Sequence, residues 1–184
     1  MENFIVKDLM VPVSEYATVA EGSNLLEAVL ALEKAQAEFD HTKYKHRGVL
    51  ILDKNNRVVG KLGQLDVLFA LEPATGETSD TQELGNYGFS PRFILSRQRQ
   101  QRMQGLPFEN LCHAAAGLKV EDFMQAPTEN ECIDENATLE MAVNQLVMEK
   151  RLSLLVTRGN DIEGILRLAD VFAAVFHAMK ECEI

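Results

Sequence analysis

Residues 152–176 read LSLLVTRGNDIEGILRLADVFAAVF, and most of this stretch occurs a second time at residues 49–69 as VLILDKNNRVVGKLGQLDVLF. In each copy a short run of strand-forming residues is followed by a polar turn and a second apolar segment. This order predicts a β-hairpin in each copy, with turns at residues 53–57 and 158–161. The chain is therefore expected to contain two copies of one structural unit.

An aspartate follows each predicted hairpin at the same distance. Asp66 and Asp170 stand six residues after Gly60 and Gly164, and each begins a stretch whose apolar periodicity predicts a helix. Each carboxylate is thus expected where a strand ends and a helix begins.

The repeat extends upstream of the hairpins. VKDLM at residues 6–10 returns as VEDFM at residues 120–124, and apolar residues at helical spacing follow both. They predict amphipathic helices that begin near Ser23 and near Asn136. Each copy then contains a short strand, a helix, two strands and a helix, which predicts an α+β fold. One copy alone would bury too little apolar surface, so the two are expected to share a core.

Three regions follow from this alignment: a first repeat at residues 1–72, an insert at 73–117 and a second repeat at 118–184. The insert opens with a Gly-, Ser- and Thr-rich segment that predicts a loop. A helix with a basic polar side is predicted at 90–105, and another short helix at 106–116. The basic helix is either a surface helix in an expanded linker or a docking element for an acidic partner or a neighbouring subunit.

Composition narrows the class of protein. With 184 residues, 46% hydrophobic and 25% charged, the chain has the balance of a globular domain, and no apolar run approaches the roughly 20 residues that span a bilayer. A net charge of −10 opposes binding to nucleic acid or to an anionic membrane. The N-terminus lacks the basic and apolar regions of a secretory signal, so a cytoplasmic location is expected.

One basic cluster runs against the overall charge. It lies just before the first repeated strand and contains Lys43, Lys45, His46 and Arg47. The cluster is either a solvated loop or a site for an anionic ligand.

The repeated signals resemble a tandem pair of cystathionine-β-synthase (CBS) domains, also called a Bateman module, over residues 4–72 and 118–180. The resemblance implies two β-α-β-β-α repeats packed with pseudo-two-fold symmetry. It implies a regulatory adenosyl ligand, AMP, ADP, ATP or S-adenosylmethionine, in the cleft between the repeats, and no required cofactor. CBS pairs commonly associate, so a homodimer is also expected.

The resemblance also assigns roles to residues at the strand-to-helix junctions. In the family the aspartate of the last helix holds the ribose hydroxyls, a role that falls on Asp66 and Asp170; an ionised carboxylate suits it because it is a pure acceptor. The alternative is that each aspartate only caps its helix. The Thr or Ser that the family usually has three residues earlier is replaced by Gly63 and Arg167. Arg167 can bind a phosphate bidentately, or it is an exposed arginine paired with a nearby acid.

Two pockets are implied, each combining residues of both repeats. The first would contain Pro12, Ala17, His46, Arg47, Gly48, Arg167 and Asp170. The second would contain Gly63, Asp66, Lys150, Arg151 and Leu152. Positive charge ranks the first pocket as the better candidate for a polyphosphate.

The function expected on these grounds is a stand-alone regulatory or sensor module that binds an adenosyl nucleotide. The alternative is a structural module for dimerisation or protein interaction, with no nucleotide bound. An enzyme is not expected, because the sequence has no P-loop, no Gly-x-Ser-x-Gly and no metal-type spacing of His and Cys. An unidentified protein target is a further partner of such a module.

Overall fold

The computed structural model of the chain describes residues 4–38, 45–71 and 107–181. The loop predicted at the start of the insert and the basic helix predicted at 90–105 lie outside these residues, as does Lys43 of the basic cluster. The helices are α1 (Val6–Leu9), α2 (Leu25–Glu38), α3 (Gln64–Leu71), α4 (Phe108–Ala116), α5 (Leu139–Met148) and α6 (Leu168–Glu181). The strands are β1 (Val11–Pro12), β2 (Thr18–Ala20), β3 (Gly48–Leu52), β4 (Val58–Gly63), β5 (Cys132–Asp134), β6 (Ser153–Arg158) and β7 (Asp161–Arg167).

The described residues form two compact units. The first-hairpin unit contains residues 17–38, 45–71 and 107–126. Its sheet has the order β2-β3-β4, in which β2 runs parallel to β3 and β3 antiparallel to β4. Its core is built from α2, the sheet, α3 and the 107–126 segment, with Phe123 and Ile51 fully buried.

The second-hairpin unit contains residues 4–16 and 127–181. Its sheet has the order β1-β7-β6-β5, in which β5 runs parallel to β6 and β7 lies antiparallel to both β6 and β1. Leu154, Val156 and Leu166 of the hairpin are fully buried in its core.

Both predicted repeats are confirmed as β-α-β-β-α units: β2-α2-β3-β4-α3 and β5-α5-β6-β7-α6. The short helix predicted at 106–116 is confirmed as α4. Helices α2 and α5 begin slightly later than predicted, because Asn24 and Thr138 are the residues that cap them. The Asn24 side chain accepts from the Glu27 amide at 2.9 Å, and Thr138 accepts from the Met141 amide at 3.3 Å.

The opening motif of each repeat packs on the hairpin of the other repeat. Residues 6–10, VKDLM, belong to the second-hairpin unit, and residues 120–124, VEDFM, belong to the first-hairpin unit. The hairpin glycines make room for these motifs. A Cβ on Gly60 would lie 2.5 Å from Sδ of Met124, and one on Gly164 would lie 3.0 Å from Sδ of Met10. The repeated methionine and the repeated glycine thus belong to one packing contact.

Candidate functional site

The first strand-to-helix junction holds Asp66 as a buried structural group. Asp66 lies in the first turn of α3, and the residue is 2% exposed. Its Oδ2 accepts the backbone N–H of Gly63 at 2.6 Å, which is the carboxylate half of a capping box. Its Oδ1 accepts the amide of Gln125 at 2.9 Å. This carboxylate therefore ties the start of α3 to the segment that follows VEDFM.

The second junction satisfies the equivalent carboxylate in another way. Asp170 lies in the first turn of α6, and Arg167 is the last residue of β7. Nε of Arg167 donates to Oδ2 of Asp170 at 2.5 Å, and its Nη2 donates to Oδ1 at 2.7 Å. The arginine is paired with an acid, as one of the two interpretations held, but its side chain is only 7% exposed.

Strand register shows which residues of the two hairpins are equivalent. Gly48 lies opposite Gly63, and Ser153 lies opposite Arg167. The turn of the first hairpin is one residue longer, so the equivalent of Arg47 is Leu152. The backbone agrees, because the Gln64 amide donates to the Arg47 carbonyl at 3.2 Å and the Leu168 amide to the Leu152 carbonyl at 2.9 Å. An exposed cation in one unit is thus replaced by a 69% exposed leucine in the other.

The residues just before β2 and just before Arg47 also differ from their equivalents in the other unit. By the same register, Ala17 and His46 in the first-hairpin unit correspond to Glu131 and Arg151 in the second. Ala17 and His46 are both buried, at 3% and 0% exposure. Glu131 is 1% exposed and forms an ion pair with Arg151, whose side chain is 28% exposed. In the second-hairpin unit, the side chain of Arg151 is therefore held by an ion pair with Glu131.

The residues of the basic cluster before β3 differ in their exposure to solvent. Lys45 and Arg47 are exposed, whereas His46 is buried and its carbonyl accepts the Gln36 amide at 2.7 Å. In the corresponding stretch of the second-hairpin unit, Lys150 is exposed and has a positive φ of 51°. The stretch turns sharply there before β6 begins.

The residues of each predicted pocket fall into both units. The first-hairpin unit brings together Arg47, Gly48, Gly63 and Asp66. The second-hairpin unit brings together Leu152, Arg167 and Asp170. Pro12 pairs with Gly164 in β1 and β7, and the Ala17 carbonyl accepts the Leu50 amide at 2.9 Å.

Two residues that the sequence patterns did not reveal are Gln125, which contacts Asp66, and Glu131, which contacts Arg151. Each lies far along the chain from the side chain it contacts, since Gln125 is 59 residues from Asp66 and Glu131 is 20 residues from Arg151. A signal was available in the repeat itself. VKDLM and VEDFM are 114 residues apart, and the same spacing matches Val11 to Gln125 and Ala17 to Glu131. A polar residue replacing an apolar one at a repeated position indicates a partner that the other copy lacks.

Asp53 and Glu135, which follow β3 and β5, are carboxylates whose pKa is lowered. The backbone N–H of Arg57 donates to Asp53 and is the largest cause that lowers the pKa of Asp53 to about 2. The Arg158 side chain lowers the pKa of Glu135, to which it donates two hydrogen bonds. These pairs brace the turn after β3 and the segment after β5.

The described residues contain neither a membrane-spanning helix nor a cluster of metal ligands. None of their helices has the length and apolar character needed to cross a membrane. Across residues 4–38, 45–71 and 107–181, no three His, Cys, Asp or Glu side chains gather as metal ligands would.

Comparison with known families identifies the class of this fold. The CBS domain family matches residues 6–73 and 120–177, more than half of the chain. The chain therefore belongs to the CBS domain family and carries two copies of the domain. No curated protein sequence matches it significantly.

Solved structures with the same fold are CBS-pair proteins. A structure of CBSX2 in complex with AMP has 19% sequence identity and a TM-score of 0.63, over 95% of this chain and 97% of that one. CBSX2 from Arabidopsis thaliana has 20% identity and a TM-score of 0.60, over 97% and 98%. A CBS domain-containing protein from Bacillus anthracis has 15% identity and a TM-score of 0.60, over 95% and 94%. At these identities the likeness shows a shared fold.

Proposed function

We propose that this chain is a regulatory module that binds an adenosyl nucleotide. Asp170 carries the proposal, because its carboxylate stands in the first turn of α6, where the family places a ribose acceptor, and its side chain is 16% exposed. The AMP bound in a CBSX2 structure of the same fold supports the choice of ligand class. The contacts expected from Pro12, Ala17, His46, Arg47 and Gly48 remain predictions.

The two aspartates differ in their suitability for a ligand. Both oxygens of Asp66 accept hydrogen bonds from the protein, and the residue is 2% exposed. A ribose at Asp66 would have to displace Gly63 or Gln125 from a buried carboxylate, which costs free energy. The junction at Asp66 is therefore proposed as the weaker ligand site.

Calorimetric titration with AMP, ADP, ATP and S-adenosylmethionine tests this function. Asp170→Ala should weaken binding of the preferred ligand by about 1.5 to 3 kcal/mol, the scale of hydrogen bonds to a charged group. Asp66→Ala is the matched control and should leave the stronger binding event nearly unchanged once its folding is verified. Absence of heat or thermal stabilisation with all four compounds would oppose the proposal.

A structural role in dimerisation is the second candidate, and exposed apolar side chains favour it. On α6, Phe172 and Phe176 stack with ring centroids 6.2 Å apart, and Phe172 and Met179 are 62% and 68% exposed. Apolar side chains grouped in this way commonly mark an interaction surface. We therefore propose a homodimer, which sedimentation at micromolar concentration tests; a monomer there would contradict it.

A further inference from the structure

The last residue of β7 and the first turn of α6 are joined by a bidentate contact. Nε of Arg167 donates to Oδ2 of Asp170 at 2.5 Å, and its Nη2 donates to Oδ1 at 2.7 Å. Two parallel hydrogen bonds of this kind use one acceptor position on each carboxylate oxygen, on the side where both oxygens face the same partner. The acceptor positions that remain point away from each other.

A vicinal diol needs the positions that the guanidinium occupies. Its two hydroxyl donors stand on adjacent carbons, so a bidentate contact with one carboxylate uses the facing position on each oxygen. The guanidinium of Arg167 and a diol therefore exclude each other at Asp170. A ribose can make this contact only after the arginine side chain has moved off the carboxylate.

Moving the arginine is costly because the pair is mostly buried. The side chains of Arg167 and Asp170 are 7% and 16% exposed. Opposite charges with so little access to water lose more on separation than an exposed pair does, because water replaces the lost contact only in part. A neutral diol would satisfy the carboxylate of Asp170 but would offer the guanidinium no anion in exchange.

An anionic group on the ligand changes this balance. A phosphate accepts two hydrogen bonds from a guanidinium, so it can replace the Asp170 carboxylate as the partner of Arg167. The first junction lacks this chemistry, because Gly63 and Gln125 hold Asp66 through uncharged amides. The two junctions therefore differ in the kind of ligand that can open them.

We infer that the Arg167–Asp170 pair is an autoinhibitory contact. It closes Asp170 to neutral nucleosides and opens for ligands that bring a diol and an anionic group together. This inference rests on the proposed adenosyl function and adds a condition for binding at the same junction. Arg167 then has two opposing effects, because it blocks the diol and also receives the anion once the contact has opened.

Calorimetric titrations of AMP, adenosine and 2′-deoxyadenosine into the wild-type chain and Arg167→Ala test the contact. Wild type should bind AMP about tenfold or more tightly than adenosine. Arg167→Ala should bind adenosine about tenfold more tightly than wild type does, because the facing positions on Asp170 are released. Its AMP affinity should stay within about threefold of wild type, since the lost phosphate contact and the lost block offset each other. The affinity for 2′-deoxyadenosine should change by less than about twofold, because this ligand has no diol.

Two further variants complete the test. Arg167→Met keeps the apolar stem of the side chain and removes the fork, so it should reproduce the gain for adenosine and serves if Arg167→Ala does not fold. Arg57→Ala is the matched control, because it removes a bidentate contact with Asp53 at a hairpin turn. Its affinities for all three ligands should equal those of wild type.

The direction of the change for adenosine decides between the possible roles of Arg167. An adenosine affinity within about twofold of wild type would overturn the inference, and a simultaneous fall in AMP affinity would make Arg167 a plain phosphate ligand. Equal gains for adenosine and 2′-deoxyadenosine would also overturn it, because the effect would not pass through the diol. In both cases AMP binding by wild type would leave the proposed function standing. If neither wild type nor Arg167→Ala bound any of the three ligands, the proposed function would fail together with this inference.

Discussion

The two strand-to-helix junctions place an aspartate at the same position and satisfy it by different means. In the first-hairpin unit, Asp66 receives a backbone amide from Gly63 and a side-chain amide from Gln125. In the second-hairpin unit, Arg167 supplies both of the donors that the described residues bring to Asp170. Asp66 is 2% exposed as a whole residue, whereas the side chain of Asp170 is 16% exposed. The two copies of a repeated motif can therefore keep the same residue while its side chain makes different contacts in each copy.

The largest predicted effect concerns the Glu131–Arg151 ion pair, whose positions are occupied by Ala17 and His46 in the first-hairpin unit. Glu131→Ala removes the partner of Arg151 and should lower the free energy of unfolding by about 3 kcal/mol, the lower end for a broken buried pair, because Arg151 is partly exposed. Denaturant unfolding measures the change.

The other unit supplies the control for this variant. Adding Arg151→His to Glu131→Ala reproduces the residues of the first-hairpin unit, Ala17 and His46, and removes the unpaired cation. The double variant should recover more than half of the lost stability. An equal loss in the single and double variants would show that the charge of Arg151 does not cause the effect.

The second prediction compares the two hairpin glycines. A Cβ on Gly164 would lie 2.6 Å from the backbone oxygen of Val11, whereas one on Gly60 meets the flexible Met124 side chain. Backbone yields less easily, so Gly164→Ala should cost about 2 kcal/mol and Gly60→Ala about 1 kcal/mol. Thermal and denaturant unfolding of the two variants measure the difference, and the reverse order would refute this account of the glycines.

The third prediction tests Gln125 as a structural partner of Asp66. Gln125→Met keeps the size of the side chain but removes its donor, and it should cost about 1.5 kcal/mol because the lost hydrogen bond ends on a carboxylate. Gln36→Met is the matched control in the same unit, since it removes one bond to the neutral carbonyl of His46 and should cost about 1 kcal/mol or less. Equal losses measured by denaturant unfolding would show that the charge of Asp66 adds nothing.

Local sequence patterns predicted the elements of the fold and failed at their long-range partners. Period-two and helical patterns located both hairpins and the helices after them, because those signals lie within a few residues of each other. The partners Gln125 and Glu131 come from other segments of the chain, so no local pattern reveals them. The spacing of 104 residues between Gly60 and Gly164 would match Arg47 to Arg151, but the extra residue in the first hairpin turn makes Leu152 its equivalent.

The hairpin turns provide the last and smallest contrast. The longer turn is closed by Asp53, whose Oδ1 accepts the backbone amides of Asn55 and Arg57 at 2.8 and 2.9 Å. Its Oδ2 accepts two bonds from the Arg57 side chain. The shorter turn contains Gly159, with a positive φ of 62°, and its end residues Arg158 and Asp161 pair across the strands.

The hydrogen bonds to Asp53 in the longer turn lead us to expect that the free energy of unfolding depends on pH. These hydrogen bonds, the Arg57 backbone N–H foremost, lower the pKa of Asp53 in the folded chain from 3.8 to about 2. Because the folded-state pKa is the lower one, the stabilisation is complete above about pH 4 and is lost as the pH falls towards 2. Asp53→Asn should flatten the decline in unfolding free energy across that window, measured against wild type by denaturant titration. Parallel declines in both proteins would remove Asp53 as a contributor to acid stability.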